Sequence, residues 1–249
     1  MFLEIGPGEG ALTGPLAESG APILAVEIDR DLVARLAATM PPSVTVLSGD
    51  ILETQVLPIV TGLSPVLPPD HPGPVPPRRY RVAGNLPYNV ASLVIARLIE
   101  WHKQHQLFAD ATLMVQREMA DRLVARPGSK DYGVLTVMVS LRATVARLFD
   151  LPPGAFTPPP KVRSSVIRLV FRPPQVRIPD EVLFERMVKA LFSQRRKTLA
   201  NALKRFDPTG PAVLALSGLD GRRRPETLQL SELAHLSDIF AAVKRPAVL

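Results

Sequence analysis

A glycine run between an apolar strand and a helical pattern constrains this chain more than any other feature. Phe2-Leu3-Glu4-Ile5 reads as a strand, and Glu4-Ile5-Gly6-Pro7-Gly8-Glu9-Gly10-Ala11 turns out of it into a helix expected over 10–19. Glycines let the backbone turn tightly and approach a ligand at the helix N-terminus, where unpaired N–H groups point outward. The next strand, expected over 23–28, carries Glu27 near its end, 21 residues past Gly6. A carboxylate there suits the hydroxyls of a ribose. A third short strand, 44–47, runs into Ser48-Gly49-Asp50, which places Asp50 to accept from an adenine amino group. Three successive strand ends thus present glycine, acid and acid at one crevice, where open α/β sheets bind their ligands.

The glycines alone do not choose the cofactor, because Gly6-x-Gly8-x-x-Ala11 also satisfies the dinucleotide fingerprint. Glu4 tilts the choice. A carboxylate repels a pyrophosphate and attracts a sulfonium or an ammonium, which favours S-adenosylmethionine over NAD. A fourth strand, 80–84, leads into Asn85-Leu86-Pro87-Tyr88. Asn85 supplies a side-chain carbonyl, Pro87 removes a backbone donor and stiffens the turn, and Tyr88 offers a face on which a base stacks. Such a set suits an exocyclic amino group whose lone pair is delocalised into its ring. Two acceptors on its hydrogens hold it and return charge to the nitrogen as it attacks, so positioning and electrostatics carry the rate.

Further along, 90–101 has helical spacing, 111–115 reads as a fifth strand, and 133–141 as a helix. Two late runs, 143–148 and 165–171, are expected to close the sheet as an antiparallel pair. From about residue 180 the patterns are helical only, over 180–192, 195–206, 210–216 and 231–243, with Ser231 as the expected N-cap of the last. The expected architecture is α/β, a Rossmann-like methyltransferase sheet over 1–174 and a small all-helical domain over 175–249. Eight of the 27 prolines fall between Pro58 and Pro77. The insert 57–79 is therefore expected as an exposed, polyproline-leaning loop.

The 249 residues contain no cysteine, which excludes disulfide scaffolds, thiolate metal sites and cysteine nucleophiles. No apolar run reaches the roughly 18 residues of a membrane span, and a cytoplasmic, monomeric protein without metal or membrane partner is expected. The net charge is +7, with 23 arginines and 7 lysines. Arginine fits phosphate bidentately, so the excess suits an RNA- or phosphate-binding surface. A GC-rich genome, which enriches Ala, Pro and Arg codons together, accounts for the arginine ratio equally well. The four histidines (His71, His102, His105 and His235) have no ligand spacing and read as surface residues.

At these motifs the chain resembles the ribosomal RNA adenine N6,N6-dimethyltransferases. The resemblance rests on EIGPGEGALT (4–13), VEIDRDL (26–32), GD (49–50), GNLPYN (84–89), MVQREMADRLVARPGSKDYGVLTVM (114–138), FTPPPKVRSSVIRL (156–169) and FSQRRKTLANAL (192–203). It implies transfer of two methyl groups from S-adenosylmethionine to each of two adjacent adenines in a 16S rRNA hairpin near its 3′ end. It also implies a role for each motif residue. Gly6, Gly8, Glu27, Ile28, Asp50, Ile51 and Asn85 border the cofactor, and Asn85 with Leu86 and Pro87 holds the target N6. Tyr88 and Phe156 sandwich the extruded adenine, and Glu4 is a functional carboxylate. Lys161, Arg195, Arg196, Lys197, Arg222 and Arg223, with Lys204, Arg205 and Arg224 nearby, are expected on RNA phosphates. Two alternatives share the fold: a methyltransferase of large-subunit RNA of the erythromycin-resistance type, and a non-catalytic ribosome-assembly factor. The family carries a basic segment ahead of the glycine strand. This sequence starts at the strand, from which weakened cofactor binding and slow turnover are expected.

Overall fold

The computed structural model describes residues 1–54 and 79–244. The proline-rich insert lies almost wholly outside the described residues, as does His71. Strands β1 (Phe2–Ile5), β2 (Ile23–Glu27), β3 (Val44–Ser48), β4 (Tyr80–Asn85), β5 (Phe108–Gln116), β6 (Ala143–Leu151) and β7 (Ser164–Phe171) form one sheet in the order β3-β2-β1-β4-β5-β7-β6. The pairs β1–β2, β1–β4, β2–β3 and β4–β5 are parallel, and β5 pairs antiparallel with β7. Every residue of β2 is buried, as in a parallel strand covered on both faces. The chain leaves β1 toward β2 and β3, then returns to β4 and β5 on the other side. The reversal falls between β1 and β4, and ligands bind at such a point beyond the strand carboxyl ends.

Helix α1 spans only Thr13–Ala17, later than the expected start, because Gly6, Gly8 and Gly10 all adopt positive φ and hold the preceding segment in turns. Helix α2 (Arg30–Thr39) is capped by Asp29, whose carboxylate accepts from the N–H groups of Asp31 and Leu32. Helix α3 (Ala91–His105) buries Val94, Ile95, Leu98, Trp101 and His102 and ends at Gln106 in the left-handed region. His102 is thus no surface residue. Its ring stacks on Phe171 at 4.8 Å, and its Nδ1 accepts from the Phe108 N–H. His105 and His235 are exposed as expected.

Two compact units emerge. One contains residues 1–120 and 145–171, the other 121–144 with the chain from 172 on. The boundary expected at 174/175 is therefore corrected, because residues 121–144 fold with the helical part. Helix α4 spans Arg117–Leu123 and α5 spans Val134–Ser140. Around and beyond α5, Tyr132, Val137 and Leu141 join Phe184, Met187, Phe192, Leu203 and Phe240 in one buried cluster. Arg142 pairs with Glu181, and the Arg172 guanidinium donates to the Ser140 carbonyl at 2.8 Å. The remaining helices of this unit are α6 (Glu181–Phe192), α7 (Leu199–Phe206), α8 (Gly210–Ser217) and α9 (Leu230–Lys244). Two expected helix starts shift. Thr198 caps α7, leaving Arg195, Arg196 and Lys197 in the preceding turn. Helix α9 begins at Leu230, where the Glu232 carboxylate takes the Gln229 N–H, so Ser231 is inside the helix rather than its cap. Among the described residues, no helix is long and apolar enough to cross a membrane.

Candidate active site

The carboxyl ends of β1, β2, β3 and β4 open onto a cleft of about 380 Å³, a size ordinary for a small cofactor. Its lining includes Gly6, Gly8, Glu27, Ile28, Asp50, Ile51 and Asn85, together with Leu32, Asn89, Val90 and Val94. Each glycine is where the geometry demands it, since Gly6 and Gly8 have φ near +60°. Glu27 is 6% exposed. Its carboxylate accepts from Gly8 N (3.0 Å), Ile28 N (2.9 Å) and Asp29 N (3.1 Å). Three backbone donors fix its orientation while a carboxylate offers about four acceptor sites. Asp50 accepts from Leu52 N at 2.8 Å. Beside these acids, Ile28 is 68% exposed, an apolar side chain at the cleft wall.

A second cleft, of about 360 Å³, is lined by Asn85, Leu86, Pro87, Tyr88, Phe156, Thr157, Pro158 and Pro160. Asn85 and Pro87 belong to both clefts. Asn85 ends β4 and is exposed, whereas Leu86 is buried and donates its N–H to Met114 O. The Pro87 carbonyl accepts from Val90 N and Ala91 N, both at 3.1 Å, and so starts α3. Tyr88 stands half-exposed with its hydroxyl 2.9 Å from Ser164 Oγ, and Ser164 is fully buried. Ahead of this motif, Gly84 of β4 faces Ile5 of β1. A Cβ there would sit 2.7 Å from the Ile5 carbonyl oxygen.

Not every expected residue reaches the clefts. Glu4 is 1% exposed and lines neither one; its Oε2 has no hydrogen-bond partner among the described residues. Burial raises its pKa above the ordinary carboxylate value, with Thr13 beside it acting the other way. A carboxyl so placed is a weaker partner for a cation than its position in the motif suggests. Lys161 is exposed but outside the lining. In the helical unit, two of the arginines expected on phosphates are also engaged within the fold. The Arg195 guanidinium donates to the carbonyls of Lys130 (2.7 Å) and Tyr132 (3.2 Å). Arg223 forks onto Glu232 (2.5 and 2.9 Å) and reaches Thr227 O at 2.9 Å. Arg196, Lys197, Lys204, Arg205 and Arg224 are exposed, and Arg222 is exposed beside Asp220 at 3.2 Å. Sequence reasoning missed Ser164 as the anchor of Tyr88; 76 residues separate them, and no local pattern marks the pair.

The sequence matches the family described as ribosomal RNA adenine dimethylase over residues 1–242. The chain belongs to that family. A relative of this dimethylase from Aromatoleum aromaticum, named ribosomal RNA small subunit methyltransferase A, is 40% identical over 99% of this chain and 85% of its own length. One of the same name from Geobacter sulfurreducens is 43% identical over 95% of this chain and 83% of its own. Among solved structures, a dimethyladenosine transferase from Plasmodium falciparum superposes with a TM-score of 0.75. It has 23% identity and covers 97% of this chain and 90% of that one, a likeness of fold. The 23S rRNA methyltransferase ErmE superposes with a TM-score of 0.62 and 25% identity over 96% of this chain and 90% of that one.

Proposed function

We propose that this dimethylase transfers methyl groups from S-adenosylmethionine to N6 of two adjacent adenines in a 16S rRNA hairpin near its 3′ end. The observation that carries this reading is the pair of clefts with Asn85 and Pro87 in common, one beside the glycine turn and one beside Tyr88 and Phe156. The cofactor cleft fits its ligand. Glu27 has acceptor capacity for ribose hydroxyls, Asp50 for an adenine amino group, and Ile28 and Ile51 give an apolar slot for the ring. When bound, the cofactor supplies an electrophilic methyl carbon on a sulfonium.

On the substrate side, Asn85 Oδ1 accepts one N6 hydrogen. The Pro87 carbonyl is already taken by Val90 and Ala91, so the Leu86 carbonyl is the backbone acceptor for the other. Two acceptors drawing on N6–H would return electron density to nitrogen, whose lone pair would take the methyl carbon as its bond to sulfur breaks with the pair left on sulfur; the N6 proton would pass to solvent. Tyr88, held by Ser164, and Phe156 stack on the extruded base, which must leave its helix to react. Arg196, Lys197, Arg222 and Arg224 remain for phosphate contact, with Lys161 on the other unit.

The test is methyl incorporation from labelled S-adenosylmethionine into small subunits lacking the modification, with naked 23S RNA in parallel. Asn85→Ala should reduce transfer by at least about 100-fold without changing cofactor affinity by more than a few fold. Full activity in that variant would overturn the role of Asn85. Methylation of 23S RNA alone would overturn the 16S assignment, the alternative suggested by the fold shared with ErmE.

A further inference from the structure

Beyond the base cleft, the same end of the sheet carries a second charged group. Arg117 follows β5, Arg163 precedes β7, and Asp150 lies near the end of β6. Strand order places β5, β7 and β6 next to β4 in that sequence. At about 4.8 Å per strand, the group spans roughly 5–14 Å from the strand that ends in Asn85. The backbone ties it together. Arg117 N donates to Arg163 O at 3.0 Å, and Ser165 Oγ donates to Asp150 Oδ1 at 2.6 Å. Ser164, which lies between Arg163 and Ser165, holds the Tyr88 hydroxyl. The loop lining the base cleft, through Pro160, leads directly into Lys161 and Arg163.

Charge in this group is unbalanced. Asp150 stands among Arg117, Arg147 and Arg163; the hydrogen bond from the Ser165 hydroxyl, and after it the charges of these arginines, lower its pKa. The nearest guanidinium nitrogens of Arg117 and Arg147 stay 4.0 and 3.9 Å from Asp150 Oδ2, beyond hydrogen-bond reach. Arg117 is 44% exposed and Asp150 34%. The carboxylate therefore stands by the Arg117 guanidinium without taking its donors. Planar guanidiniums held in this way match a phosphate, which accepts bidentately and carries its charge outward.

We propose that Arg117 and Arg163, gathered by Asp150, are positioning residues that grip the RNA backbone beside the extruded adenine. Asp150 acts as a local anion beside these arginines until phosphate arrives. The proposal deepens the functional reading above and rests on it for the identity of the RNA.

Binding of undermethylated small subunits and steady-state methylation are measured over 50–300 mM salt for four proteins: wild type, Arg117→Ala, Arg163→Ala and the double variant. Each lost phosphate contact should reduce the log–log salt slope of binding by about 1. The double variant should raise KM about tenfold while kcat, S-adenosylmethionine affinity by calorimetry and melting temperature stay near wild type. Asp150→Asn keeps an acceptor for Ser165 and removes the competing charge; it should tighten subunit binding two- to threefold. An unchanged salt slope and KM in the double variant overturn the proposal. Loss of binding in Asp150→Asn, together with a lowered melting temperature, likewise overturns it, since that is the signature of a structural ion group. A wild-type chain that binds subunits with an arginine-dependent slope yet transfers no methyl supports the grip and overturns the proposed activity instead.

Discussion

Two carboxylates in one sheet, Asp110 and Asp150, stand among arginines and do different things. Asp110, near the start of β5, is 6% exposed and receives Arg81 through Nε and Nη2, both at 2.8 Å, and Arg168 Nη2 at 2.5 Å. Asp150, at the far end of β6, keeps its arginines at 3.9–4.0 Å and bonds a serine instead. The first group lies at the end of the sheet away from the clefts and has closed on itself; the second lies at the end with the clefts and has not. Arginine number is similar in the two. Distance and burial separate a group that holds strands together from one that has donors to offer.

Breaking the closed group should have the largest effect. Asp110→Ala removes the shared acceptor of two half-exposed guanidiniums and is expected to cost about 2 kcal/mol, a fall in melting temperature of roughly 4–8 °C. Cofactor binding at 25 °C should persist. A melting temperature within a degree of wild type would mean that the closed group contributes nothing to the fold.

A smaller effect separates the charge of Asp110 from its shape. Its pKa is lowered below 3.8, chiefly by the hydrogen bond from Arg81. A depressed carboxylate stabilises the fold fully above its unfolded value, and that contribution is lost as pH falls through the folded value. The gap in urea midpoint between wild type and Asp110→Asn should therefore be constant from pH 7 to pH 5 and narrow below pH 4. A gap that stays constant down to pH 3 would assign the effect to packing.

The anchor of Tyr88 comes next. Ser164→Ala removes one buried hydroxyl partner, at about 1 kcal/mol, and loosens the stacking face, so KM for subunits should rise a few fold with kcat nearly unchanged. An unchanged KM would show that Tyr88 holds its place without Ser164. Smallest of all is Asp150→Ala, whose melting temperature should fall by under about 3 °C. A drop as large as that of Asp110→Ala would erase the distinction between the two groups.

Much of the site was legible because its residues are close in sequence to the turns that present them. Gly6 and Gly8 follow one strand, Glu27 ends the next, and Asn85 to Tyr88 follow a fourth, so local pattern and sheet topology were enough. The limits of the reading fall where partners are distant. His102 looked like a surface residue because nothing near it in sequence announces Phe171, on which its ring stacks. A basic run shows charge but not the carbonyls at 130 and 132, or the Glu232 carboxylate, that engage Arg195 and Arg223. The unit boundary moved for the same reason. Residues 121–144 have no composition that sets them apart from the sheet, and only the packing of Tyr132, Val137 and Leu141 assigns them to the helices.

The close approach at Gly84 has a reach beyond its own turn. Strand β1 leads into the glycines that border the first cleft, and β4 ends in the asparagine common to both clefts; Ile5 and Gly84 are paired across the two. A built Cβ on Gly6 would lie 4.0 Å from the Asn85 carbonyl oxygen, so the two half-sites are already neighbours. Methyl transfer requires reacting atoms within about 3–3.5 Å, and a displacement of about 1 Å costs on the order of 100-fold in rate. A single methyl group added at Gly84 would act as a shim between donor and acceptor. The stroke of the reaction is thus gauged by a hydrogen atom, at a residue that lines neither cleft.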